Sequence, residues 1–296
     1  MRKIVTICTP TYNRAYIIHN LYLSLCKQTC HDFEWLVIDD GSEDQTRDKI
    51  EQYSRNTSFP VRYYYQPNGG KCRAVNRGID LAEGFLFIVV DSDDVLVENA
   101  IEKILTWEKE LKNACESVFC GLSGNMGTSV DHTPNRLSGK PYVDATLLDR
   151  YNFFDGEREF VFYTSIIRKY IFPVYDGEKF MTEAVMYNRL AHDGYIIRFY
   201  DDIICVYEYQ SDGLTRKGKE LFLQNPRGYG LWIKEKVVFE KRSLLYRLKT
   251  YYTFVCDLCD CYDLRTISEC LSVPYTISAA CYCLHKVRLA FKRDKG

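Results

Sequence analysis

The first 115 residues alternate between short apolar runs and segments in which apolar positions recur at helical spacing. The apolar runs cover residues 3–8, 34–39, 61–66 and 85–91, and the helical segments cover 15–28, 43–54, 71–83 and 98–111. Nearly continuous apolar runs are typical of parallel strands covered on both faces, and their alternation with helices indicates a doubly wound sheet. The pattern therefore predicts an α/β fold.

Beyond residue 115 the pattern is less regular. Residues 117–126 and 159–168 have the pattern of strands, 182–194 that of a helix, and 195–209 that of two strands in succession. Helical spacing returns after residue 216. The predicted parts of the chain are a domain over 1–215, with halves 1–115 and 116–215, and a helical extension over 216–296.

Each of the first four predicted strands is followed by a polar cluster. The clusters are TPTYNR (9–14), DDGSEDQ (39–45), QPNGGK (66–71) and DSDD (91–94). Parallel strands end at the same edge of a sheet, and α/β sheets bind their ligands beyond that edge. We therefore expect the four clusters to meet and form a site.

The last cluster places three carboxylates, Asp91, Asp93 and Asp94, directly after an apolar run. Carboxylates at such spacing repel one another, and each raises the pKa of its neighbours where water is partly excluded. One interpretation is a polar turn that caps the following helix. The other is a site for a hard divalent cation, whose charge removes the repulsion.

The charge is unevenly distributed along the chain. The formal net charge is −1, yet residues 216–296 contain 16 Lys and Arg against 8 Asp and Glu. This surplus of eight positive charges leaves about nine negative charges on the remainder, so the sequence predicts an acidic body with a basic C-terminal part.

The cysteines favour a cytoplasmic location. There are 13 of them and no recognisable export signal, which is typical of free thiols in a reducing compartment. CDLCDC (256–261) has the spacing of half a zinc site, but no second ligand pair stands at suitable spacing, so free thiols are favoured. No apolar run reaches the length of a membrane span.

Five motifs occur in the order found in a known family. They are TPTYNRA, VIDDGSEDQT, NGGKCRAVNRGI, VVDSDD and TEAVMYNRLAHDGY, all within residues 3–215. This set resembles the family 2 glycosyltransferases, which have the GT-A fold, a doubly wound mixed sheet with a Rossmann-like nucleotide-binding half. The resemblance implies an acceptor-binding and catalytic half over 116–215. It also implies inverting transfer of a sugar from a UDP-sugar to an acceptor hydroxyl on a glycan or a lipid-linked or surface-polysaccharide precursor.

The resemblance also assigns residues to the donor and to a metal. The nucleotide-sugar-binding residues would be Pro10, Tyr12, Arg14, Asp40, Lys71, Asp91 and Ser92. Tyr12 would stack on the base unless it is a packing residue, and Asp40 would accept a hydrogen bond from uracil N3–H unless it only begins a helix. Asp93 would bind Mn²⁺ or Mg²⁺, and Asp91 would act through the ribose or a metal-bound water. Asp94 is expected to cap the following helix.

The chain departs from the family pattern at one position. Many members carry an arginine where this chain has Val75. Lys71 or Arg73 would then supply the missing positive charge near the phosphates. Lys71 follows a Gly-Gly turn at a predicted helix start, which suits phosphate or ribose contacts.

Glu183 is the candidate general base. The family places an acidic pair at the start of a helix, seven or eight residues before Arg-Leu. Counting back from Arg189 and Leu190 reaches Thr182 and Glu183. The alternative is an ordinary acid in the first turn of a helix.

Other functions fit the sequence less well. A nucleotidyltransferase normally has a glycine-rich loop after the first strand, and CTPTYNRA contains no glycine. Processive synthases carry a Gln-X-X-Arg-Trp motif, and residues 224–228 lack the tryptophan. A non-catalytic nucleotide-sugar-binding protein stays open and would be favoured if Glu183 were dispensable. No feature suggests a nucleic-acid partner.

The C-terminal part has two amphipathic segments, 242–255 and 284–295. Their apolar positions at helical spacing are Leu245, Leu248, Tyr252 and Val255, then Leu284, Val287 and Phe291, with Lys and Arg among them. Such helices are typical of peripheral contact with an anionic membrane, here the inner face of the cell membrane. The alternative is packing against the domain or against a second subunit in a homodimer.

Overall fold

The first half of the chain forms parallel strands joined by helices. The computed structural model describes residues 5–113, 119–128, 137, 139–149, 152–153, 156–208, 210, 213–240 and 243–293. The first elements are β1 (Val5–Thr11), α1 (Ile18–Cys26), β2 (Phe33–Asp39), α2 (Thr46–Arg55), β3 (Val61–Tyr65), α3 (Lys71–Leu81), β4 (Leu86–Val89), β5 (Val95–Leu96) and α4 (Ala100–Asn113). The four strand–helix pairs predicted from the hydrophobic pattern are confirmed.

The second half completes a mixed sheet. Its elements are β6 (Phe119–Thr128), β7 (Tyr142–Ala145), β8 (Arg158–Tyr163), α5 (Thr164–Ile167), α6 (Ala184–His192) and β9 (Ile196–Tyr207). The strand order is β3-β2-β1-β4-β8-β6-β9-β5, and β7 pairs with β9. The sheet is parallel from β3 to β4 and antiparallel where β8 is inserted between β4 and β6. The predicted fold class is therefore confirmed.

The strand order reverses beside β1. Strands β2 and β3 lie on one side of β1, whereas β4 lies on the other. The connections leave in opposite directions at such a switch point and open a crevice beyond the carboxyl ends of the two strands. Thr11 ends β1, and Asp91 follows β4 by two residues. The crevice therefore lies where two of the predicted polar clusters begin.

Close packing fixes the helices that flank this crevice. On one face, the rings of Tyr22 in α1 and Tyr53 in α2 stack 4.0 Å apart and cover Trp35 of β2. In α3, a Cβ at Gly78 would lie only 2.3 Å from the Sγ of the buried Cys8 in β1. The glycine lets α3 approach the sheet closely, which sets the position of the helix N-terminus.

Two predicted elements differ from the structure. The strand expected over 159–168 ends at Tyr163, because the Thr164 N–H and hydroxyl donate to the Phe85 and Gly84 carbonyls and the chain turns into α5. The two strands expected over 195–209 are one strand, β9. Its first part pairs with β7 and its last part with β5, and its register against β6 shifts near Asn125.

The C-terminal part is helical, as predicted. Its helices are α7 (Leu214–Lys217), α8 (Lys219–Gln224), α9 (Pro226–Phe239), α10 (Leu244–Leu258), α11 (Leu264–Leu271) and α12 (Tyr275–Arg293). Buried side chains of α9, α10 and α11 form a core of their own. Within the described part of the chain, no helix has both the length and the apolar character needed to cross a membrane.

The chain divides into two compact units. One comprises Met1–Ile171 with Leu190–Ser211 and contains the whole sheet. The other comprises Phe172–Arg189 with Asp212–Gly296. The sequence-based division at residue 215 stays a prediction.

Gly230 tests the packing of the C-terminal core. A Cβ at this position would lie 2.2 Å from the carbonyl oxygen of Cys270, so α9 and α11 must separate in Gly230→Ala. Alanine is the better helix former by about 1 kcal/mol, so helix propensity alone predicts stabilisation. We expect instead a loss of about 1–3 kcal/mol in the free energy of unfolding, measured with urea.

Gly228→Ala is the matched control, because it lies in the same helix and its added Cβ would meet no atom closer than 3.1 Å. Its effect should be much smaller. Equal effects of the two substitutions would contradict the close contact between α9 and α11.

Candidate active site

The two aspartates after β2 are held by different parts of the chain. Asp39 accepts hydrogen bonds from the Ser42 N–H at 2.7 Å and from the Tyr63 hydroxyl at 2.6 Å. Burial, and then the hydrogen bond to Asp39, raise the pKa of Tyr63 well above its ordinary value, so this hydroxyl stays a donor. Asp39 therefore fixes the turn after β2.

Asp40 accepts four hydrogen bonds, all from the segment between β3 and α3. The side-chain amides of Gln66 and Asn68 donate at 2.7 and 3.2 Å, and the N–H groups of Gly69 and Gly70 at 3.0 and 2.7 Å. Each carboxylate oxygen receives two of them, which uses its full capacity. Asp40 is 3% exposed, so this carboxylate anchors the 66–70 loop, a role that the sequence did not indicate.

Glycines permit the close approach of these loops. Gly41 has φ +92°, and a Cβ there would lie 2.7 Å from the Asn68 backbone nitrogen. Gly70 has φ +94° at the N-cap of α3. Both positions require the left-handed backbone region, where glycine carries no steric penalty.

The segment after β1 is cross-linked to the turn after β2. The Asn13 N–H donates to Ser42 Oγ at 2.8 Å, and the Asn13 side chain accepts from the Glu43 N–H at 2.8 Å. Asn13 has φ +53°, which sharpens the turn. Tyr12 is left 47% exposed, so packing into the core does not account for it, whereas Pro10 is buried in β1 opposite Ile38 of β2.

Thr11 has an unsatisfied hydroxyl at the end of β1. The residue is 3% exposed, and its Oγ1 has no hydrogen-bond partner among the described residues. A buried hydroxyl without a partner costs free energy, so a ligand or a water molecule is the expected partner. Thr11 is not among the predicted site residues, because a threonine at a strand end carries no distinctive signal.

The acidic cluster after β4 is partly neutralised by a lysine. Lys71, the first residue of α3, places its Nζ 2.7 Å from Asp91 Oδ2. Burial and the charge of Asp91 raise the pKa of Asp93, against the opposing effects of Arg14 and Lys71. Burial and the charges of Asp91 and Asp93 raise the pKa of Asp94 to about 8. Lys71 therefore neutralises only part of the negative charge of this cluster.

Asp94 does not cap a helix, so that prediction was wrong. Asp94 N–H donates to the Asp91 carbonyl in a tight turn, β5 follows at once, and α4 begins only at Ala100. Ser92, in the same turn, is buried. Helical spacing from residue 98 onwards could not reveal the short strand in between.

The carboxylates suit a metal that a substrate helps to bind. Within the described residues, no group of three or more His, Cys, Asp or Glu side chains is arranged to hold a metal ion. Mg²⁺ in phosphoryl-substrate sites commonly takes only one or two carboxylates, and substrate phosphates and water complete its shell. Asp93 and Asp91 fit that pattern, since both are oxygen donors and burial raises the pKa of Asp93.

The other cations near the site are held in place. The Arg14 guanidinium donates to the Tyr16 hydroxyl and lies over that ring. The Arg73 Nε donates to the Gly69 carbonyl at 3.1 Å, whereas Val75 is 4% exposed and packs inside the protein. Of the two cations expected to compensate for Val75, Lys71 is therefore the one paired with the acidic cluster.

Glu183 lies in the second unit, at the start of α6. The Thr182 Oγ1 accepts from the Ala184 N–H at 3.4 Å, and Glu183 Oε2 lies 3.5 Å from the Tyr187 hydroxyl. Farther along the helix, Arg189 binds Glu235 of α9 through two nitrogens. The register counted back from Arg189 therefore places a half-buried carboxylate directly before the first residue of a helix.

The predicted cysteine motif contains free thiols. Cys256, Cys259 and Cys261 carry no disulfide in the structure, and Cys256 Sγ lies 3.1 Å from His285 Nδ1.

The chain belongs to glycosyl transferase family 2, whose family model matches residues 6–173. This match covers all the predicted donor-site residues and ends before Glu183.

Two relatives from Bacillus subtilis are similar to much of the chain. The putative teichuronic acid biosynthesis glycosyltransferase TuaG is 31% identical over 149 residues, 49% of this chain. The uncharacterized glycosyltransferase EpsJ is 27% identical over 227 residues, 73% of this chain. The chain spans 57% of the length of TuaG and 64% of EpsJ, less than two thirds of either.

Two solved structures share the fold. S. aureus TarS 1-349, in complex with UDP-GlcNAc, matches with a TM-score of 0.62 at 18% identity. This match covers 86% of this chain and 81% of the TarS chain. The mannosyltransferase PcManGT from Pyrobaculum calidifontis, in complex with GDP-Man and Mn²⁺, matches with a TM-score of 0.55 at 16% identity. This match covers 97% of this chain and 76% of the PcManGT chain.

Asp40→Asn tests the anchoring of the loop. Asparagine keeps one acceptor oxygen, but its NH₂ group would face two of the four donors, which lose their partner. We expect a loss of about 1–3 kcal/mol in the free energy of unfolding, measured with urea. Asp32→Asn changes an exposed aspartate and should leave stability almost unchanged. A stable Asp40→Asn protein would mean that the loop does not depend on this carboxylate.

Proposed function

We propose that the protein is an inverting, metal-dependent glycosyltransferase that moves a sugar from a UDP-sugar to an acceptor hydroxyl. The observation that carries this proposal is the meeting of an exposed Tyr12, a buried Asp40 and the Lys71–Asp91 ion pair at the switch point of the sheet. Family membership supports glycosyl transfer over nucleotidyl transfer on a related sheet.

The base of the donor would be held by Tyr12 and the neighbouring loops. The exposed ring of Tyr12 offers a face on which uracil stacks, a contact worth about 1–3 kcal/mol per base where it has been measured. The Asp40 carboxylate accepts uracil N3–H only if one of its four donors moves away. The side chains of Gln66 and Asn68 are the two that can do so, because the glycine N–H groups belong to the backbone.

The diphosphate would be held near the start of α3 and the end of β4. The N-terminus of α3 favours an anion, and Lys71 adds a full positive charge there. Asp93 and Asp91 would hold Mn²⁺ or Mg²⁺, which would supply charge that stabilises the departing diphosphate. Bound Mn²⁺ and GDP-Man in PcManGT are consistent with this proposal. Arg14 and Ser92 would complete the contacts on this side.

Glu183 would act as the general base. Inversion requires the acceptor hydroxyl to lose its proton as it attacks from the face opposite the leaving group. Glu183 directly precedes the first residue of α6, where the helix dipole favours negative charge. Glu183 has the required chemistry, and it is one methylene longer than the aspartate usual in the family.

The acceptor is proposed to be a lipid-linked or surface-polysaccharide precursor. TuaG is named for teichuronic acid biosynthesis, a cell-surface polymer pathway, and it is 31% identical to this chain over the matched residues.

Binding of UDP should depend on a metal and on Asp93. By titration calorimetry, we expect UDP affinity to fall at least about tenfold in EDTA or in Asp93→Asn, comparable to losses on disturbing a metal site. Asp80→Asn, an exposed position on α3, is the control and should bind as the wild type does. UDP binding of equal strength without metal would contradict the proposal.

Glu183→Gln should abolish transfer and preserve donor binding. The substitution keeps the size of the side chain and removes its ability to take a proton, so turnover should fall about 10²–10⁴-fold. Asp176→Asn, at an exposed acid of the same unit, should retain turnover. Near-normal turnover of Glu183→Gln would show that another residue is the base.

A further inference from the structure

The last turns of α12 project without a covering element. Every residue from Lys286 to Phe291 is exposed. Leu284 is exposed as well, and with Val287 and Phe291 it recurs at helical spacing; the three are 60%, 51% and 66% exposed, and Leu289 is 39% exposed. Exposed apolar side chains grouped on one helix end mark an interaction surface.

The charge of this helix is entirely positive. Residues 275–293 contain four Lys and Arg and no Asp or Glu. Lys286 and Arg288 lie between the exposed apolar positions, and neither pairs with a carboxylate of the described chain. A protein partner of ordinary composition explains the apolar side chains but not the absence of acids along the whole helix.

The start of α10 has the same chemistry. Leu244 and Leu245 are 70% and 77% exposed, and Arg247 and Lys249 follow them. The only acid of this helix, Asp257, lies in its last turn, where it binds Lys219 and the Tyr229 hydroxyl. The acid of α10 therefore lies at the opposite end of the helix from its exposed leucines.

We propose that the end of α12 over 284–291, together with the start of α10, binds an anionic lipid surface. An apolar stripe flanked by Lys and Arg suits a helix that lies in the interface, with its apolar side chains among the acyl chains and its cations at the headgroups. The described helices do not span a membrane, so the contact is peripheral. The charge disfavours a symmetric contact with the equivalent helix of a second copy, which would be equally positive, and it is complementary to an anionic lipid surface.

Vesicle co-sedimentation of the full chain tests this inference. The probe is phosphatidylcholine vesicles with about one third phosphatidylglycerol, compared with phosphatidylcholine alone, at about 50 mM and about 500 mM NaCl. We expect binding to the anionic vesicles at low salt and loss of most of that binding at high salt.

Two variants separate the apolar and electrostatic contributions. Leu284→Ser/Phe291→Ser should bind more than about tenfold more weakly, because each buried CH₂ contributes about fourfold. Lys286→Glu/Arg288→Glu should bind about 25-fold more weakly, since each of the two basic charges contributes about fivefold. The matched controls are Ile171→Ser/Val174→Ser and Lys27→Glu/Lys109→Glu, which alter exposed residues elsewhere and should bind as the wild type does.

Circular dichroism and thermal melting confirm that each variant is folded. The inference is overturned if the full chain ignores anionic vesicles at low salt, or if the α12 variants bind as well as the controls. It is also overturned if sedimentation velocity shows a dimer that Leu284→Ser/Phe291→Ser dissociates while vesicle binding is unchanged, because a second copy would then cover this surface.

Discussion

Neutralisation of the carboxylates at the ends of β2 and β4 is the constraint on which the site depends. One short segment, residues 66–71, supplies hydrogen-bond donors to a carboxylate at each of the two strand ends. Gln66, Asn68, Gly69 and Gly70 bind Asp40, and Lys71 binds Asp91. Because β1 lies between β2 and β4, this segment connects the two acidic positions across the switch point. A change at either carboxylate therefore acts on the position of the other.

The sequence predicted the parts of the fold that depend on local pattern. Continuous apolar runs located β1 to β4, and the polar clusters after them located the crevice. The pattern failed where pairing partners decide the outcome. Thr164 leaves its strand because Gly84 and Phe85 accept its hydrogen bonds, and β9 stays one strand because two different neighbours pair with its two parts. Such long-range contacts leave no periodic signal in the chain.

Residue type predicted that the candidate residues would lie close together, but it did not predict their hydrogen bonds. Motif order selected Asp40, Lys71 and the acidic cluster, and the structure places them at one edge of the sheet. Motif order could not indicate that Asp40 already has four donors within the chain, or that the Thr11 hydroxyl lacks a partner among the residues the structure describes. It also assigned Asp94 to a helix cap, because a two-residue strand is too short to recognise. These contacts depend on which loops meet, which only the folded chain determines.

We propose that the Lys71–Asp91 pair compensates for the absence of an arginine at position 75. Val75 is buried and contributes to the packing of α3, whereas Lys71 carries a positive charge at the N-terminus of the same helix. Before a donor binds, Asp91 holds the lysine ammonium at 2.7 Å, which restricts a flexible side chain beside the place where the diphosphate is proposed to lie. Ordering that side chain in advance lowers the entropy cost of binding, because fewer rotamers remain to be lost. When the diphosphate and a metal bind, Lys71 would move from Asp91 to the diphosphate. Its side chain would already be ordered at that point.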